Sequence, residues 1–264
     1  MRALIRRHAP HTTIMAQSHD AHTEALERVV TACRSLGADV KRIYRAHLRS
    51  TEHADLVVTV GGDGTVLDAS HRILDVPVLG VNSNPARSVG FLTGAHAGNV
   101  GDVLEGIFSR QITPLRLMRL QVWVGGKKVG VPVLNDVLFC HCNPAATSRY
   151  TLKLGRVKEE QKSSGIWVAT PTGSTAAIMS AGGARDDMTA RRFQYRVREP
   201  YAPPGKVVTQ VGGFLERTRR LVVSCQMRDA AVFLDGSHVK FPVGMGDVVE
   251  VSAHPSVLRL FRPR

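Results

Sequence analysis

The spacing of apolar residues changes near residue 110 of this chain. Before that point, runs that suit a buried strand alternate with stretches whose apolar positions recur every three to four residues. Residues 3–7, 56–60 and 76–81 read as strands. Residues 21–36 read as a helix with Ala25, Leu26, Val29, Val30 and Ala32 on one side and Gly37 as its stop. Two further helices are predicted at 66–74 and 100–108. Such alternation implies an α/β layer with a parallel sheet. From about residue 115, short β-type runs take over at 117–124, 129–133, 137–140, 150–154, 166–169, 221–225, 232–234 and 248–252, with Gly125-Gly126-Lys127-Lys128 as a hairpin turn. Many short strands between glycine-rich turns imply a second, mostly β domain. The expected division is an α/β domain at 1–110 and a mostly β domain at 111–264, with the extreme C-terminus free to pack back on the first. Residues 185–206, with Pro200, Pro203 and Pro204, show no period and read as a long ordered loop. No internal repeat or low-complexity segment is evident.

One turn stands out against this pattern. Gly61-Gly62-Asp63-Gly64-Thr65 follows the 56–60 strand directly and leads into the 66–74 helix, with Thr65 near its N-cap. Its glycines let backbone N–H groups approach a phosphate chain and hold one carboxylate beside it. Two better-known glycine motifs are excluded. A Walker P-loop needs a Lys-Ser/Thr pair after its second glycine, and a dinucleotide fingerprint needs a glycine at its sixth position, which counted from Gly62 is Leu67. The plainer alternative is a tight turn into a helix, although adjacent glycines cost backbone entropy that such a turn does not require.

Two other segments carry candidate chemistry. Asn135-Asp136 interrupts an apolar run, and polar groups inside a buried strand need partners. A dinucleotide supplies them, since a carboxylate accepts from two ribose hydroxyls and an amide both donates and accepts. Adjacent strand residues face opposite ways, so both reach one ligand only at a strand end or bulge. An edge strand with solvated polar residues is the alternative. In Thr170-Pro171-Thr172-Gly173-Ser174-Thr175-Ala176, the proline fixes a turn after the 166–169 strand, and a short helix at 176–181 ends at Gly182-Gly183. Thr172, Ser174 and Thr175 are placed at that helix N-terminus, either as plain caps or as donors to an anion.

Together these motifs resemble the NAD kinase family, whose signature is the same Gly-Gly-Asp-Gly-Thr. Gly80-Val81-Asn82-Ser83 with Ser88-Val89-Gly90-Phe91-Leu92, Asn135-Asp136, the hydroxyl-rich loop with Ser180-Ala181-Gly182-Gly183, and Asp235-Gly236-Ser237 all match in order. The resemblance implies a two-domain fold with the active site in the cleft between the domains. It implies phosphoryl transfer from ATP, or from polyphosphate, to the adenosine 2′-hydroxyl of NAD or NADH. In that scheme Asp63 takes the hydroxyl proton, and the backbone of Gly61, Gly62, Gly64 and Thr65 cradles the phosphates with Mg²⁺. Phe91 lies against the adenine, Asn135 and Asp136 hold the nicotinamide-side ribose, and Thr175, Ala176 and Ser180 line the same pocket. Lys162 and Ala177 are further candidates. Ala177 stands where the family usually has Tyr, and Ser164 where many members have Asp. Both departures, with Asp235-Gly236-Ser237-His238, look more like the branch containing plant NADH kinases. A homodimer or homotetramer is expected.

Composition changes this picture little. With 264 residues and 43% hydrophobic content, the chain can bury a substantial core. No apolar run approaches the ~18 residues of a membrane span, and the basic N-terminus lacks the apolar core of a signal peptide, so a cytoplasmic enzyme without a membrane partner is expected. The formal net charge of +13 suits nucleic acid as well as ATP, polyphosphate or a dinucleotide. Aromatic residues make up only 5%, however, and none interleave with basic runs as a base-stacking platform, so no specific nucleic-acid partner is assigned. Cys140-His141-Cys142 lacks the remaining ligands of a zinc site, and Cys33 and Cys225 are isolated, so no protein-held metal is assigned. Two rivals share features with this reading. Lipid and sphingoid kinases carry a Gly-Gly-Asp-Gly-Thr loop but lack the Asn-Asp and hydroxyl-loop elements, and a non-catalytic nucleotide- or nucleic-acid-binding protein would have no need of Asp63.

Overall fold

The computed structural model describes residues 12–49, 51 and 53–263, so the strand expected at 3–7 lies outside the described residues. The chain forms two compact units: Met1–Leu115 with Arg259–Arg264, and Arg116–Leu258.

The first unit is an α/β layer. Its central strand, β2 (Val78–Asn82), is buried along its whole length and pairs in parallel with β1 (Val57–Gly61). β3 (Ala95–His96) also pairs in parallel with β2, opposite Val81 and Asn82. The C-terminal strand, Leu258–Phe261, pairs in parallel with β2 opposite Val78 and Leu79. β4 (Leu115–Leu117) completes the sheet beside it. A strand with apolar neighbours on both faces reads as a continuous apolar run, which is why β1 and β2 are legible without alternation. The helices are α1 (Thr12–Ser35), α2 (Asp63–Ser70) and α3 (Val100–Phe108). α1 starts nine residues before the expected position, because its first turns are largely exposed, Ile14 and Met15 included, and carry no apolar period. Val29 and Cys33 from α1 meet Leu79 and Val81 from β2 and Val103 and Leu104 from α3 in one core.

The second unit is a pair of six-stranded sheets. Its strands are β5 (Leu120–Val124), β6 (Lys127–Lys128), β7 (Asp136–His141), β8 (Ser148–Leu154), β9 (Val157–Ser163), β10 (Gly165–Ala169), β11 (Arg192–Arg198), β12 (Gly212–Glu216), β13 (Arg220–Cys225), β14 (Ala230–Leu234), β15 (Val239–Val243) and β16 (Val248–Ala253). One sheet runs β12-β11-β10-β7-β14-β15 and the other β6-β5-β16-β13-β8-β9. A single apolar cluster, including Val122, Phe139, Tyr150, Leu152, Ile166 and Val251, draws on both sheets.

Several expected elements differ. The 117–124 run is broken at Met118-Arg119, because Arg119 is fully buried and donates to the Ser256 hydroxyl at 2.6 Å. Residues 129–133 form no strand, and Val133 makes only an isolated bridge to Leu120. Lys127 and Lys128 belong to β6, leaving Gly125-Gly126 as the turn. The stretch expected as a loop at 185–206 contains β11, an interior strand paired with β10 and β12. Its period of two is present, with Phe193, Tyr195 and Val197 buried, but the alternate positions are mostly arginine. β9 is almost wholly polar and lies at a sheet edge, where pairing needs no apolar face.

Phe139 is 2% exposed and meets the Tyr150 ring edge-on, with centroids 5.4 Å apart. Phe139→Ala is expected to destabilise the protein by about 3–5 kcal/mol. Urea unfolding checks this, and a loss below about 1 kcal/mol would place the residue outside the packed core.

Candidate functional site

The glycine turn joins β1 to α2 with Gly62 as N-cap and Asp63 as the first helical residue, so Thr65, expected near the N-cap, is the third residue of the helix. No side chain caps this helix, and an acid in the first turn is favoured there by the helix dipole. Gly61 has φ +156°, and a Cβ at that position would overlap the Thr65 side chain, 2.9 Å from its Cβ. Only glycine fits. A Cβ on Gly64 would meet nothing within 4 Å, so no atom of the described residues accounts for that glycine.

Asp63 ties this turn to the Ser88-Val89-Gly90-Phe91-Leu92 loop. Phe91 N–H donates to its Oδ2 at 2.9 Å and Leu92 N–H to its Oδ1 at 2.6 Å. From the far side of the loop, Asn82 Nδ2 donates to the Ser88 carbonyl at 3.0 Å. Asp63, Gly61, Gly62, Gly64, Thr65 and Phe91 are thus gathered into one constellation in the first unit.

In the second unit, Asp136 is the first residue of β7 and Asn135 immediately precedes it, so the pair sits at a strand end. β7 is paired on both sides, with β10 and β14, and the edge-strand alternative is therefore wrong. Asp235, in the turn after β14 with φ +50°, collects three backbone N–H groups, from Leu134 at 2.9 Å, Asn135 at 2.6 Å and Asp136 at 3.1 Å. This carboxylate is the residue that sequence reasoning missed as a site element, although Asp235-Gly236 marked a turn. Asp136 is 6% exposed, and its carboxylate has no hydrogen-bond partner among the described residues. Burial, then the neighbouring Asp235 charge, pushes its carboxyl up to about 7.

The hydroxyl-rich loop is seated on the same strand end. Thr170 N–H donates to the Asn135 carbonyl at 2.9 Å and its hydroxyl to the Leu134 carbonyl at 2.5 Å. Gly173 packs so closely that a Cβ would lie 2.8 Å from Asn135 Cα. The short helix expected at 176–181 is the one-turn α4, Ala177–Ser180, and a 3-10 turn, Thr172–Thr175, that was not expected precedes it. Four residues give too little dipole for an anion site at its N-terminus. The Ser174 hydroxyl is spent on the Asp186 N–H at 3.0 Å, whereas the buried Thr172 hydroxyl has no partner among the described residues. Thr175 and Ala176 are half-buried, and Ala177 and Ser180 are exposed.

Lys162 lies apart from this group. It is the penultimate residue of β9, opposite Arg149, and lines a cleft of about 370 Å³ with Ser164, Glu199 and Tyr201, in which no other candidate residue takes part.

Comparison with known proteins places these features in a family. The ATP-NAD kinase N-terminal domain matches residues 4–112. The protein named "Probable NADH kinase" from Oryza sativa subsp. japonica is 32% identical over 92% of this chain and 82% of its own length. NADH kinase from Arabidopsis thaliana is 34% identical over 78% of this chain and 72% of its own. Two solved structures share the fold. An NAD kinase from Archaeoglobus fulgidus in complex with ATP gives a TM-score of 0.74 at 23% identity, covering 90% of this chain and 89% of that one. Yeast NADH kinase complexed with NADH gives 0.69 at 20% identity, covering 80% of this chain and 62% of that one. The chain belongs to the NAD kinase family.

An acid whose folded pKa is raised destabilises the fold once it must ionise. For Asp136 that loss sets in above the ordinary value of 3.8 and is complete above about 7. Asp136→Asn is therefore expected to raise the melting temperature of the ligand-free protein more at pH 8 than at pH 5. Thermal unfolding at both values checks this, and an equal change at both would show that the carboxyl is not held neutral by its surroundings.

Proposed function

We propose that this chain transfers the γ-phosphoryl group of ATP to the adenosine 2′-hydroxyl of NAD or NADH. Asp136 carries the reading. A nearly buried carboxylate without a donor among the described residues, beside the half-buried Asn135 amide, is matched by adjacent hydroxyls such as a ribose presents. The relatives named NADH kinase and NAD kinase support the same substrate class.

Each Asp63 oxygen accepts one backbone N–H and keeps a further acceptor site for a substrate hydroxyl. In the proposed reaction Asp63 aligns the 2′-hydroxyl and takes its proton as the oxygen bonds to the γ-phosphorus and the bond to ADP breaks. Because such transition states are loose, alignment matters more than complete proton removal, and a carboxylate fixed at both oxygens supplies it. The Phe91 ring offers a stacking face for the adenine.

A divalent cation brought in on the nucleotide phosphates fits this donor set. Among the described residues no group of three His, Cys, Asp or Glu could hold a metal ion, and Mg²⁺ is commonly held by one or two carboxylates plus phosphates. Asp63 is the carboxylate of the turn able to reach it, and when bound the ion neutralises charge on the phosphates.

Two measurements test this reading. Asp63→Asn is expected to lower kcat by about 10²–10⁴-fold. Dinucleotide binding should weaken far less, although an amide also turns one NH₂ toward a backbone donor. Near-normal kcat would remove Asp63 from the chemistry.

Ala177 bears on the choice of dinucleotide. A Tyr there would offer its π face to the cationic oxidised nicotinamide, a contribution of roughly 0.5–2 kcal/mol. Alanine offers none and leaves room for the puckered, neutral ring of NADH. The chain is expected to use NADH at least as well as NAD, and Ala177→Tyr to shift the ratio of kcat/KM values toward NAD by up to about tenfold. A strong wild-type preference for NAD that the substitution leaves unchanged would show that the nicotinamide end is read elsewhere.

A further inference from the structure

Phe91 has a holder that belongs to none of the motifs. Its backbone N–H is bound by Asp63, but its ring lies under the guanidinium of Arg262, whose Cζ is 5.1 Å from the ring centroid. Arg262 directly follows the C-terminal strand, which is fixed in the sheet by Leu260 opposite Val78 and Phe261 opposite Leu79. The same segment closes on the other end of the loop. A Cβ on Gly94 would lie 3.0 Å from Arg262 Cα and 3.0 Å from Pro263 Cδ. Arg262 is half-buried, and among the described residues no carboxylate pairs with it.

This arrangement has a physical consequence for the ring. Phe91 is half-buried, and Val89 two residues before it is 94% exposed. A cation over one face restricts the ring without itself touching the opposite face. A ring already oriented loses less rotamer freedom when a planar ligand stacks on it.

We propose that Arg262 is a positioning residue for dinucleotide binding: its guanidinium fixes one face of Phe91 so that the other face receives the adenine. This rests on the reading of Phe91 as the adenine contact. The donor nucleotide is not part of the interaction.

The test is a double-mutant cycle of wild type, Arg262→Ala, Phe91→Ala and the double variant. KM is measured separately for NADH and ATP, with Arg262→Lys as the conservative rescue and melting temperatures recorded throughout. Arg262→Ala is expected to raise KM for NADH by about three- to tenfold. KM for ATP and kcat should stay within about twofold. In the Phe91→Ala background the arginine substitution should add nothing further, because its effect passes through the ring. Arg262→Lys keeps a cation over the ring and should recover much of the loss.

A raised KM for ATP would overturn the proposal, since Arg262 would then contact the donor. An Arg262→Ala effect of full size when Phe91 is already alanine would overturn it as well. If Phe91→Ala raises KM for NADH and Arg262→Ala does not, the arginine role alone fails. If Phe91→Ala leaves KM for NADH unchanged, the reading of Phe91 fails and takes the proposal with it.

Discussion

A carboxylate that accepts two consecutive backbone N–H groups fixes the turn that carries it and the loop that donates to it. Asp63 does this for the first unit, with bonds of 2.9 and 2.6 Å to Phe91 and Leu92. Charge-assisted bonds of this kind are roughly twice as strong as neutral ones. The helix that begins at Asp63 adds a favourable dipole. Gly61 must therefore be glycine, because the sharp turn that presents Asp63 leaves no room between itself and Thr65. The glycine turn and the aromatic loop are two ends of one interaction.

The second unit uses the same device with a different outcome. Asp235 gathers three N–H groups from the segment entering β7 and so holds Asn135 and Asp136 at a strand end. The cost falls on Asp136, whose carboxylate is buried beside a second negative charge without a donor among the described residues. Polar groups left unsatisfied in a fold are a feature of sites shaped for something other than stability. The unpartnered Thr172 hydroxyl in the adjoining turn fits the same description.

Much of this was legible in the sequence, and for identifiable reasons. β1, β2 and α3 are apolar runs or stripes whose period survives any context. Asn135-Asp136 announced itself because two polar residues break such a run, and the glycine turn did so by its cost. β11 was hidden because arginines fill its alternate positions, and β9 because an edge strand needs no apolar face. The division of the hydroxyl-rich loop into a 3-10 turn and a separate helical turn follows from Gly173 pressing on Asn135, a tertiary contact that no local propensity encodes. Asp235 was visible as a turn residue, but its role depends on three N–H groups about a hundred positions earlier in the chain. Cation–aromatic contacts at the chain end have no sequence signature.

The C-terminal strand has a consequence for synthesis. It lies beside β2, so the parallel sheet of the first unit lacks that strand until residues 258–261 have left the ribosome. The second unit, whose residues lie entirely between the two segments of the first, has emerged by then. Domains commonly fold from the N-terminus forward during translation. Here the order is reversed, and the first unit is completed only after the second has been made.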